Sequence, residues 1–383
     1  MREIKKITLD EFDKSLELSQ YAFQYSLSEE SKQKRRESFH LHDVWGEFEG
    51  DTLTSKLHLY PLSVFIGKAE VKMGGVAGVA TWPEYRRGGS VARLIDHALK
   101  TMKEKGQVLS FLHPFDIEYY RRFGWELCFS HKKYTIEKSD LQFMPGVPGT
   151  IKRLSVQKDL EIINTIYEQF AQNYNGMLKR DRNWWENHVY SEGYQFAVFF
   201  NEDLRPTGYL FYKVSDKLLD VQEFFYLNGE SRRGLWNFIC QHDSMVEKVK
   251  IIVPENEQLH YLLKNPKVKI DVEPYFMARI VDVVGFLQQY TFNKVDERLL
   301  LHVKDDKADW NNQSLVIENG EVVVGNAEEE GITLTIKELT AIILQAQTAQ
   351  FLYEADMIKG TVKKVQLLDQ MIPKRSASII DFF

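Results

Sequence analysis

Five consecutive residues, Arg86-Arg87-Gly88-Gly89-Ser90, bring two guanidinium groups and two glycines into one turn. Before them runs the strand-like Gly75-Val76-Ala77-Gly78-Val79-Ala80-Thr81, ended by Pro83. After them Val91, Leu94, Ile95, Ala98, Leu99 and Met102 recur at helical spacing until Gly106. A glycine turn that opens a helix presents unpaired backbone N–H groups and the positive end of the helix dipole to an anion. Glycine permits positive φ and close backbone approach, and arginine adds forked donors that suit phosphate. Phosphate binding is therefore one reading of the turn, and a simple tight turn is the other. Neither GxxxxGK[ST] nor GxGxxG occurs, so the nucleotide motifs built on those spacings do not apply.

The other chemically capable residues are sparse. His40, His42 and Asp43 form an HxHD run that would place both imidazoles on one face of a strand. No second cluster of His or Cys supplies the remaining ligands, so no metal is expected. Cys128 and Cys240 are too far apart for a redox pair and read as buried apolar residues. The basic run 32–36 reads as a solvated face. Lys plus Arg is 49 and Asp plus Glu is 55, a net charge of −6, which argues against nucleic acid as a partner. No apolar run is long enough to span a membrane, and the opening Met-Arg-Glu-Ile-Lys-Lys lacks a signal-peptide core, so a soluble cytoplasmic protein is expected.

These residues need a scaffold, and 383 residues with 44% apolar content predict two or three packed domains. Met144-Pro145-Gly146-Val147-Pro148-Gly149 marks a boundary near 150, and the pattern changes again near 285, giving regions 1–150, 151–285 and 286–383. The first contains a strand, glycine turn, helix and second strand (107–112). The middle region repeats that unit, with strand 221–227, turn 231–234, helix 235–246 and strand 250–253, which suggests two copies of one fold. Gly234 is followed there by the bulky Leu235 and Trp236, so the second copy is expected to be silent. The last region shows strands 299–303, 314–318 and 321–325. A helix then opens at Thr335, where Glu338 completes a capping box and Leu339, Ile342, Ile343 and Ala346 form the buried stripe.

The stretch Val79-Ala80-Thr81-Trp82-Pro83-Glu84-Tyr85-Arg86-Arg87-Gly88-Gly89-Ser90-Val91 resembles the acetyl-coenzyme A motif of the GNAT superfamily of N-acetyltransferases, in which RxxGxG/A closes around the pyrophosphate. Arg86 and Gly89 match it, and Val91 departs from the usual small residue. Leu112-His113-Pro114-Phe115-Asp116-Ile117-Glu118-Tyr119-Tyr120-Arg121-Arg122-Phe123-Gly124-Trp125-Glu126 resembles the signature that closes the catalytic domain, with Phe115 where a small hydroxyl residue often stands. The ordered layout, ending in Asp381-Phe382-Phe383, resembles the enhanced intracellular survival (Eis) acetyltransferases.

That resemblance implies an α+β fold of two tandem GNAT domains, with mixed central sheets flanked by helices, followed by a sterol carrier protein-like domain. It implies direct acetyl transfer from acetyl-CoA to a primary amine of an aminoglycoside, polyamine or lysine-like acceptor, without metal. The backbone of Val79, Ala80 and Thr81 would hold the thioester and pantetheine, and Arg86, Arg87, Gly88, Gly89, Ser90 and Val91 the pyrophosphate. Tyr120 would be the general acid, its phenol keeping a proton at neutral pH. The carboxylate of Phe383, ionised at neutral pH, would be the general base. A homo-oligomer, hexameric in that family, is implied as well. From the residues alone, Tyr120 can instead pack its ring in the core, and the ending 379–383 can simply dock as a hydrophobic hook. Two other functions remain open: a lipid- or sterol-carrier-type binding protein, and a scaffold that binds coenzyme A without turnover, prompted by Val91 and Phe115.

Overall fold

The computed structural model describes residues 2–383 as three α+β units, two of which share one sheet. The first unit holds β1 (Arg2–Lys6), α1 (Phe12–Phe23), α2 (Glu29–Ser38), β2 (Asp43–Glu49), β3 (Thr52–Ile66) and β4 (Ala69–Thr81). It continues with α3 (Ser90–Glu104), β5 (Leu109–Leu112), α4 (Ile117–Arg121) and β6 (Glu126–Glu137). The second holds β7 (Thr150–Leu154), α5 (Val156–Ala171), β8 (Tyr174–Leu178), α6 (Arg182–Trp184), β9 (Gln195–Phe200), β10 (Pro206–Ser215) and β11 (Leu218–Tyr226). It closes with α7 (Gly229–Cys240), β12 (Lys248–Pro254), α8 (Leu259–Leu262) and β13 (Lys269–Ile280). The third comprises α9 (Val283–Leu287), β14 (Leu299–Lys304), β15 (Ser314–Glu318), β16 (Glu321–Val324), β17 (Ile332–Thr335), α10 (Ile336–Ile343), α11 (Ala349–Glu354), α12 (Val362–Met371) and β18 (Ser376–Ala377).

The two larger units exchange strands. The order of the shared sheet is β1-β2-β3-β4-β5-β13-β6-β12-β11-β10-β9-β7. In each unit a parallel pair joined through a helix, β4 with β5 and β11 with β12, would leave the second strand as an open edge. The antiparallel pair β6 and β13 fills both edges, β13 against β5 and β6 against β12. Helix α10 of the third unit packs on this exchanged pair, and one apolar core runs from Val64, Met73 and Phe111 to Leu339, Ile343 and Ile379. The third unit is thereby fixed against the first.

Helix α3 forms where the 3.6-residue spacing places it: Leu94, Ile95, Ala98, Leu99 and Met102 are buried, and Gly106 at φ +68 terminates it. The predicted capping box of Thr335 and Glu338 opens α10. In the middle region the predicted turn 231–234 lies inside α7, which starts at Gly229 and ends at Cys240, six residues short of the predicted 246. Gly234 is there for space, because a Cβ would come within 2.3 Å of the Phe199 ring.

Candidate active site

Strand β4 carries the site. It pairs with β3, but the register slips between Lys56↔Ala80 and His58↔Ala77, so Gly78 and Val79 bulge out of the ladder. Gly78 takes φ +54, and a Cβ there would lie 2.8 Å from the His58 ring. On its other edge β4 pairs with β5 only from Met73↔Leu109 to Val76↔Leu112. Beyond that point residues 77–81 have no β5 partner, and a wedge opens between the two strands. Ala77, Gly78 and Val79 are half-buried along it, while Ala80 and Thr81 are buried.

The glycine turn stands at the mouth of the wedge. Arg87 at φ +63 and Gly89 at φ +77 reverse the chain, and Gly89 is the N-cap of α3 with no side-chain cap. The first N–H groups of α3 are thus left uncapped beside exposed Arg86, Arg87, Gly88 and Gly89. Arg93 holds the turn in shape: its Nη1 donates to the Gly88 carbonyl at 2.8 Å, and its Nε to Glu47 at 2.6 Å. Arg86 Nε donates to the Thr81 carbonyl at 3.4 Å. Ser90 is buried and Val91 half-buried, so neither side chain faces freely into the mouth.

The equivalent place in the second unit is plugged. Asn228 caps α7, accepting from Ser231 N at 2.9 Å, so one of the first amides of that helix is already taken. Buried Glu257 accepts hydrogen bonds from both Arg232 and Tyr226, which ties together the groups around the start of α7.

The two predicted proton-transfer residues lie on opposite faces of β4, whose successive side chains alternate. Tyr120, on α4, is buried in a cluster with Leu57, Val76 and Leu94. Burial, and next the neighbouring Tyr119 phenol, push its pKa above the ordinary tyrosine value. Exposed Phe115 packs against both tyrosines, tilted at 5.3 Å from Tyr119 and edge-on at 5.5 Å from Tyr120. On the other face, Phe383 packs 4.9 Å from Phe276 and 6.3 Å from Tyr60 between ring centroids. Gly75 makes room for it, since a Cβ there would sit 2.8 Å from Phe383 Cε2.

The tail that brings Phe383 here is pinned along its length. β18 pairs in parallel with β8, and Ser378 N donates to the Asn175 carbonyl at 3.0 Å. His131 Nε2 lies 3.0 Å from the Ile379 carbonyl, and Tyr275 donates to the Asp381 carbonyl at 3.1 Å. The buried Asp381 carboxylate accepts from Arg180 Nε at 2.9 Å and from Trp184 Nε1 at 2.7 Å. Arg180 also reaches Glu223 at 2.6 Å; burial opposes its charge, but the two carboxylates outweigh that and raise its pKa. A cavity of about 480 Å³ beside this cluster is lined by Arg180, His188, Glu223, Tyr275, Asp381 and Phe382. Apart from Asp381 in the quoted ending, these anchoring residues were not singled out in the sequence, where they are scattered over 250 positions.

The two histidines of the HxHD run do not lie on a strand, and only Asp43 does, as the first residue of β2. His40 falls in the 3-10 turn Phe39–Leu41, and His42 precedes β2 and pairs with His58 instead. Cys128 and Cys240 are buried and free. Among the described residues no helix is long and apolar enough to cross a membrane.

Residues 3–128 match the acetyltransferase (GNAT) domain family, residues 176–280 match a second acetyltransferase (GNAT) domain family, and residues 283–380 match the sterol carrier protein domain family. A protein from Streptomyces avermitilis described as an uncharacterized N-acetyltransferase is 22% identical over 328 residues, 78% of each chain. The crystal structure of a probable N-acyltransferase from Enterococcus faecalis V583 superposes over the whole of both chains with a TM-score of 0.95 at 26% identity. Eis1 from Mycobacterium abscessus superposes over the whole of both chains with a TM-score of 0.84 at 18% identity, a likeness of fold.

Proposed function

Because the chain is a GNAT-type N-acetyltransferase of Eis-like layout, with two acetyltransferase domains closed by a sterol carrier protein domain, we propose that it transfers acetyl from acetyl-CoA directly to a primary amine. The observation that carries this reading is the wedge between β4 and β5, opening onto the uncapped N-terminus of α3. Arg86, Arg87 and the amides of 88–91 receive the pyrophosphate. The pantetheine arm lies along 79–81, whose amides face the thioester oxygen; such oxyanion donors contribute about 3–4 kcal/mol to a transition state.

The α-carboxylate of Phe383 takes a proton from the acceptor ammonium, and the freed amine attacks the thioester. Tyr120, kept protonated by its burial, donates to the departing thiolate. The acceptor is an aminoglycoside, a polyamine or a lysine-like amine, and the cavity beside the tail, where Asp381 and Glu223 face Arg180 and Lys133, is its way in. A carrier reading finds less support, because Leu301, Ile317, Ile332, Leu339 and Ile342 fill the interior of the third unit themselves.

The test is a thiol-release assay with acetyl-CoA and spermidine, kanamycin or Nα-acetyl-lysine, paired with calorimetric coenzyme A binding. Turnover on one amine, with binding weakened by the double change Arg86→Ala and Arg87→Ala, is the expected result. Unweakened binding would remove the turn from the coenzyme site.

A further inference from the structure

Acetylating an ammonium group releases a proton: R–NH3+ plus acetyl-CoA gives the amide, coenzyme A thiol and H+. Under the proposed function one nitrogen proton ends on the thiol, and the other has to leave a buried site. Strand β3 offers a route. Lys56, His58 and Tyr60 alternate onto the face covered by α1. Lys56 is fully buried and has no carboxylate partner; its Nζ lies 3.0 Å from Ser15 Oγ, 2.5 Å from Ser19 Oγ and 3.0 Å from His58 Nε2. When Lys56 is protonated its three hydrogens meet three acceptors, so that His58 Nε2 accepts and Nδ1 carries hydrogen. That Nδ1 lies 2.9 Å from His42 Nε2. His42 stacks on Tyr60 at 4.1 Å and lines an open cleft of about 520 Å³ together with Lys6, Thr8, Arg36 and His40. At the inner end the His58 ring abuts the Gly78 bulge, and Tyr60 faces Phe383.

We propose that His58 and His42, oriented by Lys56, form the outlet that carries the proton released in acetyl transfer from the bulge of β4 to the cleft at His42. Lys56 in its neutral form takes up the released proton at Nζ, and an Nζ–H bond then breaks as an N–H bond forms at His58 Nε2. The His58 Nδ1–H bond breaks as an N–H bond forms at His42 Nε2, and His42 gives up its other hydrogen to water in the cleft. One proton enters, one leaves, and no electrons change hands. Rotation of the rings restores the starting tautomers.

The surroundings favour handing a proton on over storing it. Arg35 on α2 acts on Lys56 and His58, Lys6 on β1 and His188 beyond α6 act on His42, and Tyr25 lies near Tyr60. Asp43, next to His42, is already paired with Lys6 and Lys105, and Glu37 lines the cleft into which His42 opens. Burial first, and these cations next, hold His42 down at about 4 and His58 well below the ordinary histidine value, so both rings rest neutral.

The outlet rests on the proposed acetyl transfer, and the test separates the two. The full chain is assayed with acetyl-CoA and the best of spermidine, kanamycin and Nα-acetyl-lysine; no turnover by the parent overturns the transfer reading and the outlet with it. With an active parent, His42→Phe, which keeps an aromatic ring against Tyr60, and His58→Phe each lower kcat about ten- to hundredfold. The KM for acetyl-CoA stays within about twofold, the solvent deuterium effect on kcat rises, and added imidazole partly rescues His42→Phe. Rescue reports on folded protein, so lost stability cannot imitate it. An active parent whose two variants keep parental kcat, or lose it without imidazole rescue or a changed isotope effect, shows the network to be only a satisfied buried cluster and overturns the outlet.

Discussion

Arg180 Nε donates to the Asp381 carboxylate across 2.9 Å, and both side chains are almost wholly shielded from water. The pair joins the second unit to the tail two residues before Phe383. It acts with Trp184 and Glu223, so the position of Phe383 depends on a charge cluster far from it in sequence. A buried charge left without its partner is costly, about 3–5 kcal/mol, which makes the cluster sensitive to any single truncation.

Arg180→Met removes the cation and leaves Asp381 and Glu223 facing each other. Thermal unfolding should show a loss of about 3–5 kcal/mol. Carboxypeptidase should then trim the tail faster than in the parent, and kcat should fall while coenzyme A binding by calorimetry stays near parental. A tail that remains protease-resistant would mean that β18 and Tyr275 suffice to hold it.

Gly75→Val places a branched side chain where the Phe383 ring now lies, 2.8 Å from its Cβ position. Valine suits a strand, and besides Phe383 only the flexible end of Leu62, 3.0 Å from the same Cβ position, has to give way. We expect kcat to drop at least tenfold from displacement of Phe383, the proposed general base. Folding and coenzyme affinity should be close to parental, and unchanged kcat would mean that the ring's location is immaterial to turnover.

Tyr120→Phe keeps the buried ring and removes only the proton. Pre-steady-state measurement of thiol release should slow about a hundredfold, with coenzyme affinity unaltered. Because burial raises the phenol's pKa, the parent should show no loss of the acid form through pH 10. A basic limb near pH 10 that vanishes in the variant would contradict the assigned environment.

Burial, followed by repulsion from Arg35, lowers Lys56 from 10.5 to about 7. Between about pH 7 and 10.5 the unfolded chain therefore holds a proton that the folded chain has released, and stability rises with pH across that window. Once pH falls through 7 the gain is lost. The Tm of the parent should accordingly climb relative to Lys56→Met between pH 7 and 10. A constant difference would mean that the lysine stays charged inside the fold.

Local signals were legible and distant ones were not. The glycine turn, the helical spacing after it and the Thr335–Glu338 cap lie within a few residues of one another, and each forms the predicted element. The start of α7 was misread because Gly234 looked like punctuation; Asn228 with Ser231 held the better signal, a cap at the right spacing. The exchange of β6 and β13 cannot be read from periodicity, since either strand could pair within its own unit. Arg180 and Asp381 meet across 201 positions for the same reason. His42 stood out in the HxHD run, but its partner came from the alternation Lys56-Leu57-His58-Leu59-Tyr60, which was visible and unread.

The most direct test of the account appends two small residues after Phe383 and compares this chain with one ending at Phe383, in thiol release and in coenzyme A affinity. The expected result is coenzyme affinity within about twofold and turnover lower by at least a hundredfold, because the extension turns the proposed base, the Phe383 carboxylate, into an amide. Equal turnover in the two proteins would contradict it.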